Sequence, residues 1–230
     1  MSRDDREAWL TFYPEDTGAA HGSGFGVLVI LDETRAAPDA GFRGRERRDA
    51  EVVTYVLEGA IAFEDDRGSS GVVEAGEFRR MTAAHRIRYR APSAPDEQWV
   101  HVFQIGLRAT GAERATSSEQ RRFTLAERRG VFCTIASPDG LKPSLHVHED
   151  AQIFSSVLDP GQHVVHELLP GRSAWVHVVE GDVTLAALQL HKGDGAGITA
   201  ERSVSITART SSEILLVDIA GARPLSVTLN

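Results

Sequence analysis

Residues 51–83 read EVVTYVLEGAIAFEDDRGSSGVVEAGEFRRMTA, and residues 174–200 read AWVHVVEGDVTLAALQLHKGDGAGITA. The first stretch opens on a β-branched apolar run, Val52 to Gly59, that closes on Glu58-Gly59 and resumes at Ala60 to Phe63. A polar turn over Asp65–Gly71 and a second turn at Ala75-Gly76-Glu77 bring the chain back, which is the pattern of strands joined by hairpins. The second stretch repeats the plan. Glu180-Gly181 stands for Glu58-Gly59, Gly193-Asp194 for Gly76-Glu77, and Ile198-Thr199-Ala200 for Met81-Thr82-Ala83. The separation is 122 residues before the hairpin loop and 117 after it, so the copies differ by one loop, five residues shorter in the second. The chain is an internal duplication.

Outward from these stretches, strands are expected at 25–32, 51–58, 60–64, 71–74, 77–81, 86–91 and 98–107. In the second half they are expected at 131–136, 144–148, 151–158, 162–168, 174–180, 182–190, 195–198, 203–207 and 213–219. No stretch sustains a helical period beyond about two turns. Short strands between glycine-bearing turns predict an all-β chain of two sandwiches or barrels. Residues 109–122, polar and without apolar periodicity, read as a linker with at most one helical turn.

At 230 residues the chain is long enough for two domains of about 100 residues. A composition 41% hydrophobic and 25% charged is that of an ordinary globular protein. No apolar run approaches the roughly 20 residues that cross a bilayer, and MSRDDREAWL has no signal core, so neither membrane nor export is implied and the cytoplasm is the expected location. The formal charge of −8 argues against a nucleic-acid partner. A single cysteine, Cys133, excludes an intrachain disulfide and is expected as a buried thiol. No phosphate loop and no Gly-x-Ser-x-Gly elbow is present.

Strands that end in Glu-Gly and return through Gly-Glu or Gly-Asp resemble the cupin (double-stranded β-helix, jelly-roll) barrel, and two tandem copies make a bicupin. Thr54 to Gly59, Ala75 to Phe78 with Met81-Thr82-Ala83, Gln120-Arg121-Arg122-Phe123, and Ser144 to Asp150 together resemble the pirin family, in particular its bacterial members. The domains that follow are an amino-terminal segment 1–24 packed on the first barrel, a first cupin barrel 25–108, a linker 109–130 and a second barrel 131–230.

The resemblance implies Fe or another divalent transition metal in the first barrel, held by His-x-His before the Tyr-Val-Leu-Glu-Gly strand and by His-x-Glu after Met-Thr-Ala. It also implies a quercetin 2,3-dioxygenase activity for some members. Residues i and i+2 of a strand face one side, so each pair aims two ligands into the barrel. Those positions hold Arg45, Arg47, Tyr89 and Ala91 here. A guanidinium offers no lone pair, so no metal is expected there. Glu51, His85 and His101 lie nearby and in a shifted register would join the pocket; the alternative is that His85 caps a turn and His101 is a hydrogen-bonded strand residue. In the second barrel the same positions fall on Glu167, Leu169, Ile206 and Ala208, which predicts an apolar interior. His146 and His148 form the chain's one His-x-His, read either as a zinc pair lacking a third ligand or as a surface pair.

Three functional readings remain open from sequence. The leading one is a bicupin that has lost its metal and serves as a small-molecule (anion) or protein-binding, regulatory module, because Arg45, Arg47 and Tyr89 present donors matched to a carboxylate or phosphate. The second is a quercetin 2,3-dioxygenase-type oxidoreductase with relocated ligands. The third is a metal-free lyase or isomerase using Tyr89 or His101 as acid or base.

Overall fold

The computed structural model describes residues 6–12, 24–38, 40–43, 50–65, 68–82, 87–90, 99–109, 117–141 and 143–221, with backbone alone at 41–43, 65 and 87–90. Alternating β-branched and aromatic positions between glycine turns give the expected strands. In the first unit these are β1 (Arg6–Leu10), β2 (Leu28–Ala36), β3 (Gly41–Arg43), β4 (Ala50–Glu58), β5 (Ala60–Asp65), β6 (Ser70–Glu74), β7 (Glu77–Met81), β8 (Ile87–Arg90), β9 (Val100–Arg108) and β10 (Ser118–Arg122). They form a six-stranded sheet, β1-β2-β9-β4-β7-β10, and a four-stranded sheet, β3-β8-β5-β6. Ala36, Val56, Val100 and Val102 of the large sheet pack against Ile61, Phe63 and Val73 of the small one, which closes the first barrel.

A one-turn helix, α1 (Leu125–Arg128), opens the second unit, capped reciprocally by Thr124 and Glu127. The strands that follow are β11 (Cys133–Ser137), β12 (Leu145–His146), β13 (Ala151–Leu158), β14 (His163–Glu167), β15 (Arg172–Glu180), β16 (Asp182–Leu185), β17 (Leu188–His191), β18 (Gly195–Ile198), β19 (Ser203–Ala208) and β20 (Ser212–Ala220). Their sheets run β12-β11-β13-β20-β15-β18 and β14-β19-β16-β17. The chain is all-β apart from α1 among the described residues, and the fold is two cupin barrels.

The duplication holds to the level of register. Val52 pairs with Met81 and Tyr55 with Phe78 in β4–β7; Ala174 pairs with Ile198 and His177 with Gly195 in β15–β18. Both long strands carry a bulge at the same place, Val56/Glu58 against β9 and Val178/Glu180 against β20. The acidic residue of each return turn has one job. The Glu74 backbone N–H donates to Glu77 Oε2 at 2.8 Å, and that of His191 to Asp194 Oδ2 at 2.8 Å. That bond is why Gly-Glu and Gly-Asp are interchangeable in the repeat.

Three elements differ from the sequence expectation. The first long strand begins at Leu28, not Phe25, and the Phe25 ring instead packs on Trp175 with centroids 5.6 Å apart. The polar stretch at 118–122 is strand β10, antiparallel to β7. It is tied by Arg80 and Arg122 rather than by apolar burial, so hydropathy does not reveal it. Cys133 is half-buried rather than buried.

Gly181 shows what the Glu-Gly turns demand. Its φ is +80°, and a Cβ there would stand 2.2 Å from the Ser211 carbonyl oxygen. Gly161 has φ +82° with nothing within 4 Å of a Cβ. Gly161→Ala should therefore lose about 1 kcal/mol, the left-handed backbone cost alone. Gly181→Ala should lose about 3 kcal/mol or more because the carbonyl must also move. Denaturant unfolding of the two variants checks the difference.

Candidate functional site

Strand alternation separates the two faces of each large sheet. In the first barrel Ala36, Val56, Val100 and Val102 face inward. Stepping by two places Asp32 and Thr34 of β2, Gln104 of β9 and Thr54 of β4 on that same face. Arg79 of β7 joins them, its guanidinium carbon 3.6 Å from the centroid of Phe63 on the opposite sheet. The registers align four of these residues in one lateral row. Asp32 pairs with Gln104, Gln104 with Thr54, and Thr54 with Arg79. All four are buried, with relative exposures of 5%, 7%, 2% and 7% along the row. No hydrogen bond from the Gln104 amide to another side chain exists among the described residues.

The same row of the second barrel runs Phe154, Leu216, Val176, Ala196, with the same strand partners in the same order. All four belong to or pack on its apolar core. One duplicated frame thus encloses an acid, an amide, a hydroxyl and a guanidinium in its first copy, and hydrocarbon in its second. Burying a polar group costs free energy unless it is bonded, so a polar row where an apolar one fits the same frame marks the first barrel as the candidate site.

Of the residues singled out from sequence, Arg45, Arg47, His85 and Ala91 lie outside the described residues. Tyr89 is described by backbone alone, on β8 and paired with Phe63, beside the row. Glu51 and His101 are not brought to this interior. Both belong to the opposite face of the large sheet, and both are engaged there. Arg80, 1% exposed, places Nε 3.6 Å from Glu51 Oε1, pairs with Glu119 at 2.6 Å, and donates to Ser117 Oγ at 2.7 Å. His101, also 1% exposed, lies 2.6 Å from Glu33 Oε1.

In the second barrel the predicted apolar interior is present, but two of its four positions are corrected. Ile206 and Ala208 are core residues, whereas Glu167 and Leu169 are exposed, Leu169 by 69%. Val164 and Leu168 point inward instead. The separation of 122 carries into β14, where Val164 pairs with Ile206 as Phe42 pairs with Tyr89, so the inward positions of this strand are Val164 and Leu168 and the expectation for Glu167 and Leu169 was one residue out of phase. The polar groups of this barrel gather where β14 meets β20. His166 Nε2 lies 2.8 Å from Asp218 Oδ2, and Arg172 donates to Asp218 at 2.5 Å and to Asp150 at 2.7 Å. Burial pulls the Arg172 pKa down, but the bonds to Asp150 and Asp218 outweigh it and the pKa is raised. The rings of His146 and His148 lie with centroids 4.8 Å apart, tilted by 58°. No group of three His, Cys, Asp or Glu side chains able to hold a metal occurs among the described residues. Nor is any helix among them long and apolar enough to cross a membrane.

Two cupin barrels in tandem, the first with a polar lateral row where the second has an apolar one, define a bicupin. Residues 14–107 match the family model described as Pirin, and residues 134–219 the one described as the quercetinase C-terminal cupin domain. The chain is 30% identical over 213 residues to the quercetin 2,3-dioxygenase of Escherichia coli K12, covering 93% of this chain and 91% of the relative. It is 31% identical over 197 residues to a pirin-like protein of Caulobacter vibrioides, covering 85% and 84%. The solved structure of the bacterial pirin YhhW from Escherichia coli in complex with nickel(II) superposes with a TM-score of 0.84 at 29% identity, over 96% of this chain and 95% of that one. The chain belongs to the pirin family.

The Arg80 network offers a stability test separate from the row. Arg80→Met strands the buried Glu51 carboxylate without its guanidinium and should cost about 3–5 kcal/mol, while Arg80→Met with Glu51→Leu should recover much of that loss. Chemical denaturation of the single and double variants measures both.

Proposed function

We propose that this pirin-family chain works without a transition metal and that its first barrel captures a small anion. The observation that carries the reading is the composition of the row Asp32, Gln104, Thr54, Arg79. A metal centre of this fold needs three or four lone-pair donors converging on a point. The row offers one carboxylate and, at its other end, a guanidinium whose permanent charge repels a cation and attracts an anion. The sequence extends the pattern: Arg45 and Arg47 stand where the family resemblance expects His-x-His, and Tyr89 and Ala91 where it expects His-x-Glu. Such a protein acts by binding, and a protein partner that reads the loaded state would make it regulatory.

The names of the relatives favour a second reading. The relative from Escherichia coli K12 is named quercetin 2,3-dioxygenase, and the bacterial pirin neighbour was solved with nickel(II). On that reading relocated ligands would hold a metal and support flavonol cleavage. Elemental analysis of protein purified without chelator separates the two. The binding reading expects well under one Fe, Ni, Cu or Mn per chain and no quercetin consumption above a heat-inactivated control. Near-stoichiometric metal with chelator-sensitive turnover establishes the oxygenase instead.

The anion itself is tested by thermal shift with a panel of carboxylates and phosphates. At least one should raise the melting temperature of the wild type, and the effect should vanish in Arg45→Ala/Arg47→Ala and in Arg79→Leu. Charge-assisted hydrogen bonds contribute roughly 1.5–3 kcal/mol each, enough for a measurable shift when two act together. A panel without any stabilising anion removes the reading.

A further inference from the structure

One end of the second barrel departs from its apolar core. Val164, Leu168, Ala174 and Leu216 face inward, and stepping by two from them places His166, Arg172 and Asp218 on the same face of β14, β15 and β20. His166 Nε2 lies 2.8 Å from Asp218 Oδ2, and the Phe154 ring rests against the imidazole with centroids 4.6 Å apart. Arg172 donates to Asp218 at 2.5 Å and to Asp150 at 2.7 Å. It also forms one wall of a cavity of about 850 Å³, lined further by Leu168, Pro170, Ala200, Glu201 and Arg202. That volume is of the size that holds a small organic ligand. The backbone of the wall carries a second signal. Ala200 has φ +60°, a left-handed conformation that glycine adopts freely and alanine does not. Strain of this kind is kept at ligand clamps, and the methyl group that glycine would remove lies on the cavity wall.

Charge decides what the cavity takes. Around this mouth the described residues supply four acids, Asp150, Glu167, Glu201 and Asp218, against two bases, Arg172 and Arg202. Arg172 is matched by two of those acids, so it is a fixed wall rather than a receptor for anions. We propose that the mouth of the second barrel is a separate binding site for a small amphipathic amine, independent of the anion reading for the first barrel. The hydrocarbon body lies against Leu168, Pro170 and Ala200, and the protonated ammonium lies toward Glu201 in the surplus negative field. An alcohol on the same skeleton keeps the apolar contact and loses the attraction. A carboxylate meets like charge and is rejected.

Titration calorimetry on the full-length protein tests this with three probes of one skeleton: 2-phenylethylamine, 2-phenylethanol and 3-phenylpropionate. The amine should bind about tenfold tighter than the alcohol, with the carboxylate weakest. Glu201→Gln should weaken the amine about fivefold and flatten its dependence on salt. Ala200→Gly should melt at or above the wild-type temperature while binding the amine about threefold more weakly, because the strain and the methyl contact go together. Thr199→Trp, which fills the cavity from its wall, should abolish binding, and Arg79→Leu in the first barrel should leave it unchanged. If none of the probes binds, or if all three bind alike and Glu201→Gln changes nothing, the amine site is overturned. Binding that survives Thr199→Trp but is lost in Arg79→Leu places the amine in the first barrel and overturns it equally. The anion reading is untouched by either result, since it is tested by carboxylates and phosphates on the arginine variants.

Discussion

In a pleated strand each step of one residue reverses the face, and almost every property of these barrels follows from that parity. Asp32, Thr54, Arg79 and Gln104 meet the interior of the first barrel because their strands place them in step with Ala36, Val56 and Val102. Arg80 and His101, one residue out of step with Arg79 and Val102, meet the other face, where Arg80 pairs with Glu51 and His101 lies 2.6 Å from Glu33. A one-residue slip in any of the four strands would exchange a charge for an aliphatic side chain in the barrel. The bulges at Val56/Glu58 and Val178/Glu180, and the carboxylates of Glu77 and Asp194 that close the return turns, hold the register against such a slip.

The fold was legible in the sequence because its hardware is local. Glu58-Gly59 and Gly76-Glu77 are contiguous, and their recurrence at Glu180-Gly181 and Gly193-Asp194 fixes the duplication and the hairpins without three-dimensional information. Strand β10 was not legible: Ser118 to Arg122 carries no apolar alternation and is held by Arg80–Glu119 and Arg122–Glu74 contacts from residues 39 and 48 positions earlier. The candidate row was hidden for a related reason. It takes one residue from each of four strands spread between positions 32 and 104, so no window of sequence contains it. The signal was nonetheless present, since the separations that align Glu58 with Glu180 and Met81 with Ile198 also align Thr54 with Val176 and Arg79 with Ala196. Parity errors marked the limit of that method. Glu167 and Leu169 were placed inward by giving them the inward facing assumed for the family's ligand pair, whereas β14 turns Val164 and Leu168 inward and exposes both.

The second copy serves as an internal control for how much polarity the frame itself requires. On the outer face the two copies agree. His101 of β9 is buried beside Glu33 of β2 at 2.6 Å, and the corresponding position of β20 holds Glu213, buried beside Arg128 at 2.6 Å. A buried polar side chain held by a partner is kept at both positions, which is the behaviour of a structural position where buried polarity is tolerated only when paired. Ser155, the counterpart of Glu33 on β13, still contributes, accepting a hydrogen bond from Arg128 at 3.1 Å.

The inner row behaves differently. Phe154, Leu216, Val176 and Ala196 show that the frame closes around four apolar side chains with a packed core. Nothing in the pairing of β2, β9, β4 and β7 therefore demands an acid, an amide, a hydroxyl and a guanidinium at those places. Each polar group taken from water needs a partner or costs on the order of 1–3 kcal/mol. Outer-face polarity recurs in both copies and belongs to the fold. Inner-row polarity occurs in one copy alone, so the frame that both copies share does not require it.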